Sequence, residues 1–179
     1  MLVCNPTVYQ VEVGGAMAKY LLVAHQTAQS RELFDAAKEL AAKDSRAKFS
    51  LLVPATPVGD LLTWEEGETK EVAQARARSA AAWLQANGIK VVGVRVGDAD
   101  PVSAIDDELL AGRRYDTIVI STLPPGVSRW IKMDVVSRLR RKRPRMPVIH
   151  VVAKDSESSR EVPIEGAAPE SKQRVDKRP

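Results

Sequence analysis

The sequence predicts one doubly wound α/β domain, a five-stranded parallel sheet with helices on both faces. Three observations predict it. Short, continuous apolar runs recur along the chain, as strands buried on both faces require. Each pair of runs is separated by a segment with helical spacing of its apolar residues. Right-handed crossovers then leave a doubly wound layout as the default for alternating β and α elements.

The elements follow in order. Tyr20–Ala24 (YLLVA) reads as the first strand. Ser30 is placed to cap a helix whose apolar stripe is Leu33, Phe34, Ala37, Leu40 and Ala41. Phe49–Ala55 (FSLLVPA) is the second strand, stopped by Pro54 and Pro57, and a loop runs to about Gly67. A long Ala-rich helix follows, and Asn87-Gly88 ends it. Ile89–Val96 (IKVVGVRV) is the third strand. Asp100 is expected to cap the next helix, with Pro101 at its first position and Val102, Ile105 and Leu109 facing inward. Asp116–Ser121 (DTIVIS) is the fourth strand. A loop, a helix near Asp134–Lys142 and a fifth strand over Pro147–Ala153 complete the domain.

The boundaries come from composition. Residues 1–18 contain an alternating stretch, Tyr9, Val11 and Val13, broken by Gly14 and Gly15, and read either as a leader or as an extra edge strand. The domain occupies 19–153. Residues 154–179 carry Ser, Glu, Pro and mixed charge with almost no bulky apolar side chain, too little to offset ordering entropy, so a disordered tail is expected.

The totals exclude several classes. With 179 residues, 44% hydrophobic and 28% charged, the chain reads as soluble and globular. No apolar run approaches the ~18 residues of a membrane span, and the start lacks a basic, then apolar, leader. A cytoplasmic location without membrane attachment is therefore expected. A single cysteine, Cys4, fits a reducing compartment, and with only two histidines, His25 and His150, no metal site is expected. The tail holds six basic and six acidic residues, so the net charge of +4 belongs to residues 1–153, a small excess toward anionic partners.

Several strings resemble the universal stress protein family. Lys19–Ser30 (KYLLVAHQTAQS) is similar to that family's first strand and turn. Asn87–Ile105 (NGIKVVGVRVGDADPVSAI) is similar to its third strand, Gly-Asp turn and following helix, Tyr115–Ser121 to its fourth strand and Met146–Val152 to its last. The likeness spans about residues 19–153. It implies a Rossmann-like domain of the adenine nucleotide alpha hydrolase-like kind, a role in stress adaptation and a homodimer formed through the last strand. An apolar edge such as VIHVV invites pairing with a second copy in any case.

The resemblance also implies adenine nucleotide, ATP above all, as the ligand. Its nucleotide-binding branch carries Gly, two residues, Gly, nine residues, Gly and a hydroxyl residue after the fourth strand. That spacing falls here on Ser121, Pro124, Asp134 and Val135. The length of the motif survives and its chemistry does not. Pro124 and Pro125 have no N–H to offer a phosphate. Asp134 sets a carboxylate where phosphates would lie, and Val135 replaces a hydroxyl. Conventional ATP binding is thus expected to be lost or altered.

The remaining candidates cluster at the carboxyl ends of the strands, where open α/β sheets bind ligands. They are His25, Gln26 and Thr27 after the first strand, and Ser121, Thr122, Ser128 and Arg129 around the fourth. Asp98 is placed to orient His25 if its turn reaches the crevice. The Gly-x-Ser-x-Gly elbow is absent and no catalytic residue is assigned. Trp130 reads as a hydrophobic plug or an interface residue rather than a base-stacking platform. The basic run Arg138–Arg145 (RLRRKRPR) raises nucleic acid as a partner, with Arg138, Arg141 and Lys142 toward solvent, but no nucleic-acid motif accompanies it and aromatics are 4% of the chain.

Overall fold

A computed structural model describes residues 17–55, 66–126 and 128–154, without the side chains of 66–69 and Arg129. The expected leader or edge strand thus lies outside the described residues, except for Met17 and Ala18, as does the expected tail beyond Lys154 and the stretch 56–65.

The chain runs β1 (Lys19–Val23), α1 (Arg31–Lys43), β2 (Lys48–Pro54), α2 (Glu66–Ala86), β3 (Val91–Gly97), α3 (Pro101–Leu110), β4 (Thr117–Thr122), α4 (Arg129–Lys132), α5 (Val135–Lys142) and β5 (Val148–Val152). The five strands form one parallel sheet in the order β3-β2-β1-β4-β5. This is the expected doubly wound fold. Among the described residues, no helix is long and apolar enough to cross a membrane.

Alternation along the strands builds two cores. Tyr20, Leu22, Phe49, Leu51, Val53 and Val119 pack under α1 and α2. Leu21, Val23, Leu52, Ile118 and Ile120 face the opposite way, against α3, α4 and α5. Phe49 is fully buried and stacks on Tyr20 with ring centroids 5.1 Å apart. Trp130 is buried in the second core, as a plug.

The local punctuation explains the element ends. The Ser30 hydroxyl accepts from the Leu33 amide at 3.3 Å and caps α1. Gly88 takes a φ of +86°, which lets the chain leave α2 without a Cβ penalty. Asp100 sits at the cap position of α3, yet its carboxylate makes no cap hydrogen bond. Both oxygens are taken by the Arg138 guanidinium, at 3.2 and 3.0 Å.

Within the basic run, Arg141 and Lys142 are exposed, as expected, and Arg138 is half-buried. Only part of the run faces solvent uncommitted, because α3 runs beside α5 and presents carboxylates to it. Arg138 pairs with Asp100, and Lys142 and Arg143 both pair with Asp106, which is buried. Arg141 pairs with Asp134 at 3.4 Å. Much of the charge that suggested nucleic acid is spent on joining α3, the α5 cap position and α5.

Candidate functional site

Chain order places the site. From β1 the chain moves outward through β2 to β3, then returns to lay β4 on the other side of β1. The connections leaving β1 and β4 therefore diverge to opposite faces and open a crevice at their carboxyl ends. His25, Gln26 and Thr27 follow β1, and Ser121 and Thr122 end β4, so the structure brings these candidates to one crevice.

Hydrogen bonds within the crevice divide it in two. On the side of α1 and α2, the Thr27 hydroxyl donates to the Ser121 carbonyl at 3.1 Å, tying the β1 turn to the end of β4. The Ser121 side chain is buried, and its Oγ has no hydrogen-bond partner among the described residues. On the side of α5, the Thr122 hydroxyl lies 2.8 Å from His150 Nε2. Gln26 is exposed.

His25 is buried, and its partner is not Asp98. Arg76, from α2, places Nη1 3.0 Å from His25 Nε2. An arginine can only donate, so Nε2 accepts and the ring is neutral. Burial and then the nearby Arg76 charge lower the His25 pKa to about 4. Asp98 turns instead to its own loop, accepting from the Asp100 amide at 2.8 Å. Burial likewise lowers the pKa of Arg76, the residue that sequence reasoning missed. Its only sequence signal was an arginine in the middle of an Ala-rich helix, which also describes Arg78.

The loop after β4 and the start of α5 hold the positions on which the resembled spacing falls. Ser128 is buried at the start of α4, where its hydroxyl accepts from the Ile131 amide at 3.2 Å. It is committed to the helix. The Arg129 side chain lies outside the described residues. Pro124 offers only its carbonyl, which takes the Ser128 amide at 3.0 Å. Asp134 has φ +51°, unique among the described non-glycine residues, and stands where the resembled pattern carries glycine. Asp tolerates this left-handed region better than most residues. Asp134 occupies the cap position of α5 without a cap hydrogen bond of its side chain. The Ser137 hydroxyl beside it, then Arg141, hold its carboxyl below the usual range, so it is anionic. Val135 is wholly buried in the second core.

The fold and the crevice define a class: a parallel, doubly wound α/β domain that binds ligands, when it binds them, at the β1/β4 switch point. No protein-family model and no curated protein matches the chain. Solved structures do. A protein of the universal stress protein family from Burkholderia pseudomallei is 22% identical, with 76% of this chain and 97% of that one covered at a TM-score of 0.50. A universal stress protein from Archaeoglobus fulgidus is 16% identical over 75% of this chain and 94% of that one, at 0.49. A universal stress protein in complex with cAMP is 18% identical over 78% of this chain and all of that one, at 0.49. The first of these, from Burkholderia pseudomallei, shows that the chain has the universal stress protein fold.

Proposed function

We propose that the chain is a universal stress protein-like regulatory module without catalytic activity, which senses a small polar ligand in the β1/β4 crevice and no longer binds ATP in the conventional way. The observation that carries this reading is the buried Ser121 Oγ, which has no partner among the described residues at the end of β4. A buried hydroxyl without a hydrogen bond costs about 1–3 kcal/mol, and a bound polar group removes that cost. Neutral His25 and charged Arg76 stand at the same end of β1 and supply an N–H donor and a cation. The anionic Asp134 and the amide-free Pro124 disfavour a polyphosphate chain.

Melting the purified protein with ATP, ADP or AMP plus magnesium tests the reading. The expected Tm is unchanged by all three, while mass spectrometry of the denatured protein identifies a co-purified polar molecule. A rise of several degrees with ATP overturns the reading, because a ligand that binds the native state stabilises it.

Arg76 favours a second reading, an ATP-binding stress protein with atypical phosphate contacts, in which its guanidinium replaces the lost loop amides. In that case Arg76→Met removes the ATP-dependent rise in Tm. For either reading we propose a cytoplasmic homodimer that pairs through β5, an edge strand on which Ile149 and Val152 are exposed.

A further inference from the structure

The opposite end of the sheet holds a cavity that the β1/β4 crevice does not use. Its volume is about 450 Å³, within the range of small-molecule sites. Lys19 and Lys48 line it where β1 and β2 begin, Val92 and Gly93 near the start of β3 and Arg95 further along that strand, with Arg113, Arg114 and Tyr115 in the turn before β4.

Charge in this cavity is concentrated and largely uncompensated. Lys19 and Lys48 are register partners on adjacent strands. Like charges directly opposite each other destabilise a sheet. Among the described residues, neither they nor Arg114 forms a salt bridge. The carboxylates near these strand ends are already engaged: Asp44 accepts the Ala18 amide at 3.1 Å and pairs with Arg46. Asp116 accepts the Lys19 amide at 2.8 Å. Glu108 is buried and takes Arg95 at 3.0 Å, Arg113 at 3.1 Å and the Tyr115 hydroxyl at 2.6 Å. One carboxylate thus anchors two guanidinium groups, holding them in place while leaving a net positive charge between them.

The backbone opens the floor of the same cavity. Between Phe49 and Ser50 the β2–β3 register shifts, so that Phe49 pairs with Val91 and Ser50 with Gly93, and Val92 is the extra residue of a bulge. Bulges re-aim side chains beside functional sites. Gly93 keeps the floor clear, since a Cβ there would meet Ser50 Oγ at 3.2 Å.

We propose that this cavity is a second binding site, for a small molecule carrying two or more linked phosphate groups, held by Lys19, Lys48 and Arg114 against the wall that Glu108 orders. A linked phosphate chain matches several cations spread across adjacent strands, where a single carboxylate would leave most of them unpaired. The site is independent of the crevice, which lies at the other end of the strands.

Inorganic tripolyphosphate is the probe. Titrated into the full-length chain at low salt, it is expected to bind saturably at one site by calorimetry. Amide shifts in a ¹⁵N spectrum should centre on Ser50, Val92, Gly93 and Gly112–Tyr115. Lys48→Glu and Arg114→Glu, both without described ion pairs, should each weaken binding at least tenfold. Lys38→Glu, on α1 at the opposite face, makes the same change in net charge and should leave binding unaltered. Three results overturn the site: no saturable binding, shifts centred on His25 and Ser121, or equal weakening by all three variants. Stronger saturation of the same residues by a single-stranded oligonucleotide than by tripolyphosphate would also overturn it, in favour of nucleic acid.

Discussion

The Thr27 hydroxyl donates to the Ser121 carbonyl across 94 residues of sequence, at 3.1 Å, and so fastens the turn leaving β1 to the end of β4. Both residues are buried, so water cannot replace the bond easily. Thr27→Val keeps the shape and removes the donor. It is expected to destabilise the domain by about 1–2 kcal/mol, while Thr27→Ser recovers most of the loss. Urea unfolding of the three proteins measures it, and equal stability of all three would remove the bond's structural role.

Stability should depend on pH through His25. Its folded pKa is about 4, against 6.5 for the ordinary side chain. Between those values the unfolded chain binds the proton and the folded chain does not. The contribution of His25 is therefore complete above pH 6.5 and is lost as pH falls toward 4, by up to about 3 kcal/mol. His150 adds to the same trend, since burial and then Arg140 lower its pKa too. Denaturant midpoints from pH 7 to pH 4 should fall more steeply in the natural protein than in His25→Gln.

Gly97 closes β3 against α3. A Cβ there would lie 2.6 Å from the Ala104 Cβ and 3.1 Å from Leu52 Cδ1. The Ala104 Cβ is fixed to the α3 backbone, whose Cα would lie 3.3 Å away, and Leu52 is buried in the second core. Gly97→Ala should cost about 1–3 kcal/mol by overpacking. Thermal melting reads it, and an unchanged Tm would mean that α3 moves away freely.

The basic run should matter more to folding than to partners. Replacing Arg138, Arg141 and Lys142 with Ala strips Asp100, Asp134 and one partner of Asp106. The expected loss is about 1–2 kcal/mol, because the cations are partly exposed. Fluorescence anisotropy with single-stranded RNA should show no salt-sensitive binding that the triple variant abolishes. Such binding would restore the nucleic-acid reading.

Dimerisation through β5 is testable by light scattering. Ile149→Lys with Val152→Lys places charge on the exposed apolar edge and should yield monomer where the natural chain is dimeric. An unchanged mass would move the contact elsewhere.

Local pattern was enough for the fold. The five apolar runs became strands within one or two residues of their expected ends, because a buried parallel strand leaves a continuous apolar signature that tertiary contacts seldom override. The caps at Ser30 and Gly88 were legible for the same reason, being decided by near neighbours. The placement of His25, Thr27, Ser121 and Thr122 at one crevice followed from strand order. Which groups they touch did not. Arg76 reaches His25 from 51 residues away, Asp100 abandons its cap for Arg138, and Thr122 meets His150. The same holds for the cavity of Lys19, Lys48 and Arg114, whose members are unremarkable surface cations until the sheet sets them side by side. Periodicity encodes which face a residue takes. Its partner across that face depends on how helices from distant segments settle on the sheet, and only the packed domain decides that.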